Sequence, residues 1–284
     1  MRCQNRIICL SGVGAQNDFT AIMSKAIPNF HTIQTAQCFP RHLYGGEARS
    51  AGDDPQPGLF AAAPAAKTGR RDAITDAGLA HFQAAYLGDA ISKDDLFYYV
   101  YGLLHSVEYR TRFADNLSKQ LPRIPAVKQA SDFWAFAEAG RQLGDLHCDY
   151  ECVDPFPVTI AQGALELAHI PDPEKFYRVE KMKFGGKRPA LDKSTVIYNG
   201  NITMTGIPLE AYDYFVNGKP ALEWVMERQC VKVDKASGIV NDANRYAIET
   251  VGDPAYPLKL FQRVITVSLE TMKIVRALPK LEID

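Results

Sequence analysis

Apolar positions recur most regularly between Ile91 and Pro125, ISKDDLFYYVYGLLHSVEYRTRFADNLSKQLPRIP. Leu96, Val100, Leu103 and Leu104 fall at helical spacing with Phe97, Tyr98, Tyr99 and Tyr101 around them, which predicts a helix with a broad buried face. Ser92 ahead of Asp94 and Asp95 marks its start, because the serine oxygen accepts from the unpaired amides of the first turn and carboxylates suit that end of the dipole. Ser106 then caps a second helix, with Tyr109, Phe113, Leu117 and Leu121 on one stripe and Arg110, Arg112, Lys119 and Arg123 opposite. Pro122 and Pro125 stop it, since proline lacks the amide donor and fixes φ. The unit reads as a helical hairpin, aromatic inside and basic outside. A solvated charged face accounts for the basic side as well as a ligand does. The tyrosines at 98, 99 and 101 read as core.

Around this unit the pattern changes several times. Residues 6–13 (RIICLSGV) predict a buried strand ended by Gly12 and Gly14. Residues 19–27 have helical spacing up to Pro28, and residues 31–44 alternate weakly as one or two short strands. A strand within four residues of Met1 suggests a fold whose earlier part lies upstream. Residues 45–72 are rich in Gly, Pro and Ala, too poor in apolar side chains to offset their ordering entropy, and predict a mobile surface loop. Residues 75–87 and 131–147 read as helices, the second capped by Ser131.

Residues 176–184 (FYRVEKMKF) alternate as a strand, with Arg178, Glu180, Met182 and Phe184 on one side. Residues 194–198 and 202–205 are β-rich, joined by the turn signal Asn199-Gly200. Three antiparallel strands are expected there. Pro208 starts a helix ending at Asn217-Gly218, and Pro220 starts another through Val231. Residues 234–257 are polar and turn-rich, and residues 258–278 form a last helix, apolar on most sides. The sum is an α+β fold: one domain over residues 1–284, with mixed short-stranded sheets and a central helical block.

Composition narrows the chemistry. A net charge of −1 argues against a uniformly basic nucleic-acid binder without excluding a local patch. No apolar run is long enough for a membrane span, and the short run at residues 7–10 is too short for a signal peptide. The six cysteines have no framework spacing and read as reduced thiols of a cytoplasmic protein. Ser11-Gly12-Val13-Gly14 is a lone G-x-G with no acidic residue about 20 positions on, and reads as a strand ending in a tight turn. His147, Cys148 and Cys152 lack a second ligand pair at zinc spacing, so no metal site is assigned. A phosphate-binding G-x-x-x-x-G-K-[ST] loop and a Pro-Pro-aromatic methyltransferase motif are both missing. Asp172 and Glu180 hint at a nuclease pair, but the lysines stand one and three positions after Glu180 rather than two. No catalytic residue is assigned.

The strongest chemical feature lies between Lys175 and Lys193. Seven basic residues (Lys175, Arg178, Lys181, Lys183, Lys187, Arg188, Lys193) stand against Glu180 and Asp192, a local charge of +5. A glycine-kinked hairpin with a basic tip can track phosphates or enter a groove, although lysines are also common on exposed strands.

Long blocks of the chain resemble the C-terminal part of type ISP restriction–modification enzymes. They are NRIICLSGVG (5–14), the run 94–125, DFWAFAEAG (132–140), YRVEKMKF (177–184), KSTVIYN (193–199), IPLEAY (207–212), EWVMER (223–228) and SGIVND (237–242). They keep one order from Asn5 to Pro279 outside the 45–72 loop, which is more specific than any short motif. In that family one polypeptide joins a nuclease, an ATP-driven helicase-like motor, an N6-adenine methyltransferase and a C-terminal target-recognition domain. The resemblance covers only the last. It implies sequence-specific binding of double-stranded DNA in phage defence. The methyltransferase, motor and nuclease, in cis or as a separate subunit, would hold S-adenosylmethionine, ATP and Mg.

Within that reading Lys181, Lys183, Lys187 and Arg188 are assigned mainly to phosphates and the groove, and Arg178 is a further DNA contact. Lys193, Ser194, Asn199 and Asn201 are assigned to base edges, with Arg110 and Arg112 as further DNA contacts. Two competing readings are a protein-interaction module docking on a methyltransferase or motor subunit, and a stand-alone metal-dependent nuclease.

Overall fold

A computed structural model of the chain describes residues 5–29, 32–45, 69–163, 165 and 170–283. Strands β1 (Ile7–Leu10), β2 (Ala21–Ser24) and β3 (Gln37–Pro40) form an antiparallel sheet of order β2-β1-β3. β1 is buried along its whole length. The helix expected over residues 19–27 is instead β2: Ala21 and Met23 are buried while Ile22 and Ser24 are half-buried, a period of two set by pairing with β1. β4 (His42–Gly45) pairs with β5 (Gly69–Asp72), so the end of the expected 45–72 loop is a strand. Its middle, residues 46–68, lies outside the described residues.

Five helices follow: α1 (Asp76–Ala85), α2 (Lys93–His105), α3 (Val107–Arg112), α4 (Ala114–Leu117) and α5 (Ala130–Cys148). The start of α2 is a capping box, in which Ser92 Oγ accepts from Asp95 N at 3.2 Å and Asp95 accepts from Ser92 N at 2.9 Å. α5 begins one residue before the expected cap, after Gln129, with no side-chain cap. The single helix expected beyond Ser106 breaks into α3 and α4, and Leu121 is exposed. Three tyrosine hydroxyls hold the chain that follows. Tyr86 donates to Val127 O, Tyr99 to Pro125 O and Tyr109 to Arg123 O at 2.6–2.7 Å.

α2 and α5 cross with their backbones in contact. A Cβ added to Gly102 would collide with the Phe136 carbonyl, and one on Gly140 with the Tyr98 carbonyl. The close crossing lets Tyr99 stack on Phe133 at 4.6 Å between ring centroids. Tyr98, Tyr99 and Tyr101 are all at most 3% exposed. They are core, as read.

The remaining elements build a second core. β6 (Thr159–Ile160) is followed by α6 (Pro173–Tyr177), β7 (Lys183–Lys187), β8 (Ala190–Ile197) and β9 (Thr203–Thr205), giving a four-stranded antiparallel sheet of order β6-β9-β8-β7. The strand expected over residues 176–184 is therefore a helix end and a linker before β7 begins. Asp172 caps that helix by accepting from Lys175 N at 3.1 Å, with Pro173 in its first turn. The helix expected after Pro208 is only a 3-10 turn at Leu209–Tyr212. β10 (Phe215–Val216) and β11 (Lys219–Pro220) then form a two-residue hairpin around Asn217 (φ 49°) and Gly218 (φ 85°).

Last come α7 (Ala221–Arg228), β12 (Val231–Val233) paired with β13 (Val240–Asp242), α8 (Ala243–Tyr246), a π turn at Ala247–Val251, and α9 (Tyr256–Arg276). α9 packs on both α5 and α7 and joins the two cores. At that junction His147 Nδ1 lies 2.6 Å from the Tyr101 hydroxyl and Nε2 lies 2.9 Å from Thr271 Oγ1, with the imidazole stacked on Tyr214. The architecture is α+β, as the sequence pattern predicts.

Candidate nucleic-acid interface

The basic segment folds as a ribbon, β7–β8, whose tip is Arg188-Pro189. Its pairing shifts register between Phe184 and Gly185, the local irregularity by which bulges bend and twist a strand. Gly186 is required there. Its φ is +72°, and a Cβ would meet Ala190 O at 2.6 Å.

Beneath the ribbon runs an open groove of about 870 Å³. Lys181, Lys183, Lys187 and Arg188 line one side, and α7 with the start of β12 lines the other. Three carboxylates also border it, and each already has a cation. Arg178 Nε donates to Glu180 at 2.7 Å, Lys193 Nζ to Glu223 at 2.9 Å, and Lys219 Nζ to Glu227, which Lys232 also approaches at 3.9 Å. The Lys219 contact holds the Glu227 carboxyl below its usual range. Among the described residues no ion pair or side-chain hydrogen bond engages Lys181, Lys183, Lys187 or Arg188, and all four are exposed. The acids are neutralised and four cations are left over. Surface ion pairs of this kind contribute about 0–1 kcal/mol to stability, so their main effect here is on the local field.

Other residues read as DNA contacts have structural partners within the chain. Arg178 bridges Glu180 and Asp242, the latter at 3.0 Å. Burial works against its charge, yet the two carboxylates outweigh it and raise the guanidinium above its ordinary value. Lys193 reaches Glu223 and lies over the rings of Phe184 and Tyr212 at 5.5 and 5.3 Å. Ser194 donates through both Oγ (2.6 Å) and its amide (2.9 Å) to Asp192. Asn199 donates to Phe176 O and Arg178 O and accepts from the amides of Asn201 and Ile202. Asn201 also donates to Phe176 O, at 3.1 Å. Asn199 and Asn201 thus organise the β8–β9 turn and tie it to the end of α6.

The structure does not bring Arg110 or Arg112 to this groove. Both belong to α3, on the first core. Arg110 is half-buried, with Nε donating to Leu104 O at 2.6 Å and its plane over Phe19, and burial lowers its pKa. Arg112 is exposed beside Phe113. The sequence reading missed the opposite wall: Glu223, Glu227, Lys232 and the paired Lys219. EWVMER contained the two glutamates at i and i+4, which share one helix face, but nothing local shows that this face meets the ribbon.

Among the described residues no group of three or more His, Cys, Asp or Glu side chains is placed to hold a metal ion. Both ring nitrogens of His147 are occupied by Tyr101 and Thr271. Of the two carboxylates weighed as a nuclease pair, Asp172 caps α6 and Glu180 pairs with Arg178. Ser11-Gly12 closes a strand end, with Ser11 Oγ accepting from Thr20 N and Gly12 N donating to Gln34 O. No helix among the described residues is long and apolar enough to cross a membrane.

A model of the Type ISP C-terminal specificity domain matches residues 1–260. Among solved structures, a nuclease-deletion mutant of the Type ISP restriction-modification enzyme LlaGI in complex with a DNA substrate mimic is 35% identical, with a TM-score of 0.74 over 100% of this chain and 22% of that one. The ATP-dependent Type ISP restriction-modification enzyme LlaBIII bound to DNA is 32% identical, with a TM-score of 0.78 over 100% of this chain and 16% of that one. A cryoEM structure of a DrdV–DNA complex is 28% identical, with a TM-score of 0.75 over 97% of this chain and 25% of that one. This chain therefore spans a quarter or less of each of these proteins. No curated protein matches it.

Proposed function

This chain belongs to the Type ISP C-terminal specificity domain family, and from that premise we propose that it recognises a target sequence in double-stranded DNA, with the ribbon groove as its contact surface. The observation that carries the reading is the charge arrangement in the groove. Its carboxylates are paired, and Lys181, Lys183, Lys187 and Arg188 stand exposed with no acidic partner. A row of uncompensated cations on a bent ribbon binds phosphates by releasing condensed counterions. The DNA-bound relatives support the choice of ligand.

In this reading the chain performs no catalysis. Adenine methylation, ATP-driven movement and cleavage belong to the remainder of a larger enzyme, in cis or as a separate subunit, where S-adenosylmethionine, ATP and Mg would act. The nuclease reading has little support, because Asp172 and Glu180 are each committed to a structural partner.

The test is retention of random duplex DNA by the purified chain, followed by sequencing of what is kept, at several salt concentrations. A defined motif with salt-sensitive retention is expected. Replacing Lys187 and Arg188 together by Ala should weaken binding about tenfold and lower the salt slope by about 1.8, near 0.9 per phosphate contact. Retention indifferent to salt and to both substitutions would sink the reading.

A further inference from the structure

The ribbon explains affinity, but phosphate contacts carry no sequence information. Building on the DNA-binding reading, we infer that the second hairpin, β12–β13, reads base edges, and that its exposed pair Val233–Val240 contacts thymine methyl groups.

The two hairpins share a root. Val231 N donates to Glu180 O at 3.1 Å, and Asp242 receives Arg178 from the chain that leads into the ribbon. Asn244 donates to Val179 O and accepts from Val179 N, at 2.9 and 2.8 Å, fixing the same junction from the other side. The register pairs Val231 with Asp242 and Val233 with Val240, and the two-residue period of a strand puts these four side chains on one face. Val231 and Lys232, one from each face, both line the groove, so the hairpin rises from the groove's edge, and the face of Val231 continues from it. Val233 and Val240 extend it outward beyond either core, 55% and 57% exposed. The tip is ordered without packing. The Asp234 carboxylate accepts from the amides of Ala236 and Ser237 and from Ser237 Oγ at 2.8–3.0 Å.

A rigidly rooted two-stranded ribbon with a bare apolar pair, set beside four uncompensated cations, fits the major groove of B-form DNA. That groove admits such a ribbon, and the apolar feature on its floor is the thymine methyl. Its root lies on the groove that the four cations line, which makes duplex DNA the occupant of this face.

The experiment compares the chain with a V233S/V240S variant in the same random-duplex selection, then replaces each thymidine of the recovered motif by deoxyuridine. Both valines lie outside the cores, so the variant should keep its fold and the salt dependence of its binding. The expected result is a motif with at least one fixed thymine at which deoxyuridine weakens binding about fourfold, the value of one buried methyl. In the variant that preference and that sensitivity should both disappear. A variant that keeps the motif and the deoxyuridine effect overturns the inference while leaving the ribbon reading intact. So does a parent chain indifferent to deoxyuridine at every position. Failure of the parent chain to retain any duplex at low salt overturns both.

Discussion

The two cores of this molecule use tyrosine hydroxyls alike, since Tyr198 and Tyr212 of the second also donate to carbonyls, but they differ in how the charges around them are placed. In the first, tyrosine hydroxyls are spent on named carbonyls, helices α2 and α5 touch backbone to backbone, and Arg141 grips both Asp94 and Asp95. On the second, the groove acids are spent but the facing cations are not. The first arrangement specifies a fold, and its exposed Arg112, Lys119 and Arg123 are not gathered along one ribbon. The second gives up local neutrality at modest energetic cost, because exposed unpaired lysines remain hydrated. Basic residues occur in both regions. What separates the second region is that four cations without an acidic partner line one groove.

Substitutions should divide along the same line. The largest effect is expected at the α2–α5 crossing, where Gly102→Ala or Gly140→Ala drives a methyl into a backbone carbonyl that cannot rotate away. Overpacking costs about 1–3 kcal/mol and more when backbone must shift. Urea unfolding should show a loss at or above the upper end of that range. A midpoint unchanged by either substitution would mean that the helices separate without penalty.

Next comes Asn199→Ala, which removes two donors from Phe176 O and Arg178 O and the acceptor for two amides. About 2 kcal/mol of destabilisation is expected, with the salt slope of DNA binding unchanged. A fallen salt slope with intact stability would return Asn199 to the DNA contacts.

Acid should weaken the junction between the cores. Burial, reinforced by the charge of Arg110, pushes His147 down to about 3, and burial with Arg110 and His147 also pushes His105 well below its ordinary value. The unfolded chain takes up these protons near pH 6.5, whereas the folded one holds both imidazoles neutral. Their contribution is therefore complete above pH 6.5 and falls below it, by about 1.4 kcal/mol per pH unit for each histidine. For His147 the loss continues to about pH 3. Urea midpoints at pH 7.5 and 5 measure the slope, which His147→Gln should roughly halve. The smallest effect on stability, within about 0.5 kcal/mol, is expected for Lys187→Ala with Arg188→Ala. A large loss there would make the tip part of the scaffold.

Local chemistry made much of the fold legible. The Ser92 cap, the helix that starts beside residue 75 and the long final helix all form where sequence alone places them. Two errors share one cause. Asn217-Gly218 carries the same hairpin signal as Asn199-Gly200, but its flanking strands are only two residues long, too short for alternation to register. Residues 19–27 failed likewise, since a four-residue strand leaves too few positions to separate a period of 2 from 3.6. In the candidate site the basic ribbon was visible because its charges are contiguous. The occupation of Lys193 by Glu223 and of Asn199 by Phe176 was not, because those partners lie 30 and 23 positions away. Sequence shows which side chains can bind. Only the packing shows which are already engaged.

The paired acids of the groove have one more implication. Glu227 is held by Lys219, with Lys232 as a second cation at 3.9 Å, and Lys219 stands on the β10–β11 hairpin with its ammonium 3.9 Å from the centre of the Trp224 ring. Any change that removes that charge, by mutation or by acetylation of the lysine, leaves a carboxylate on the wall facing the ribbon with only the more distant Lys232. On the DNA-binding reading, the groove's grip on a polyanion should then respond to a residue outside its lining.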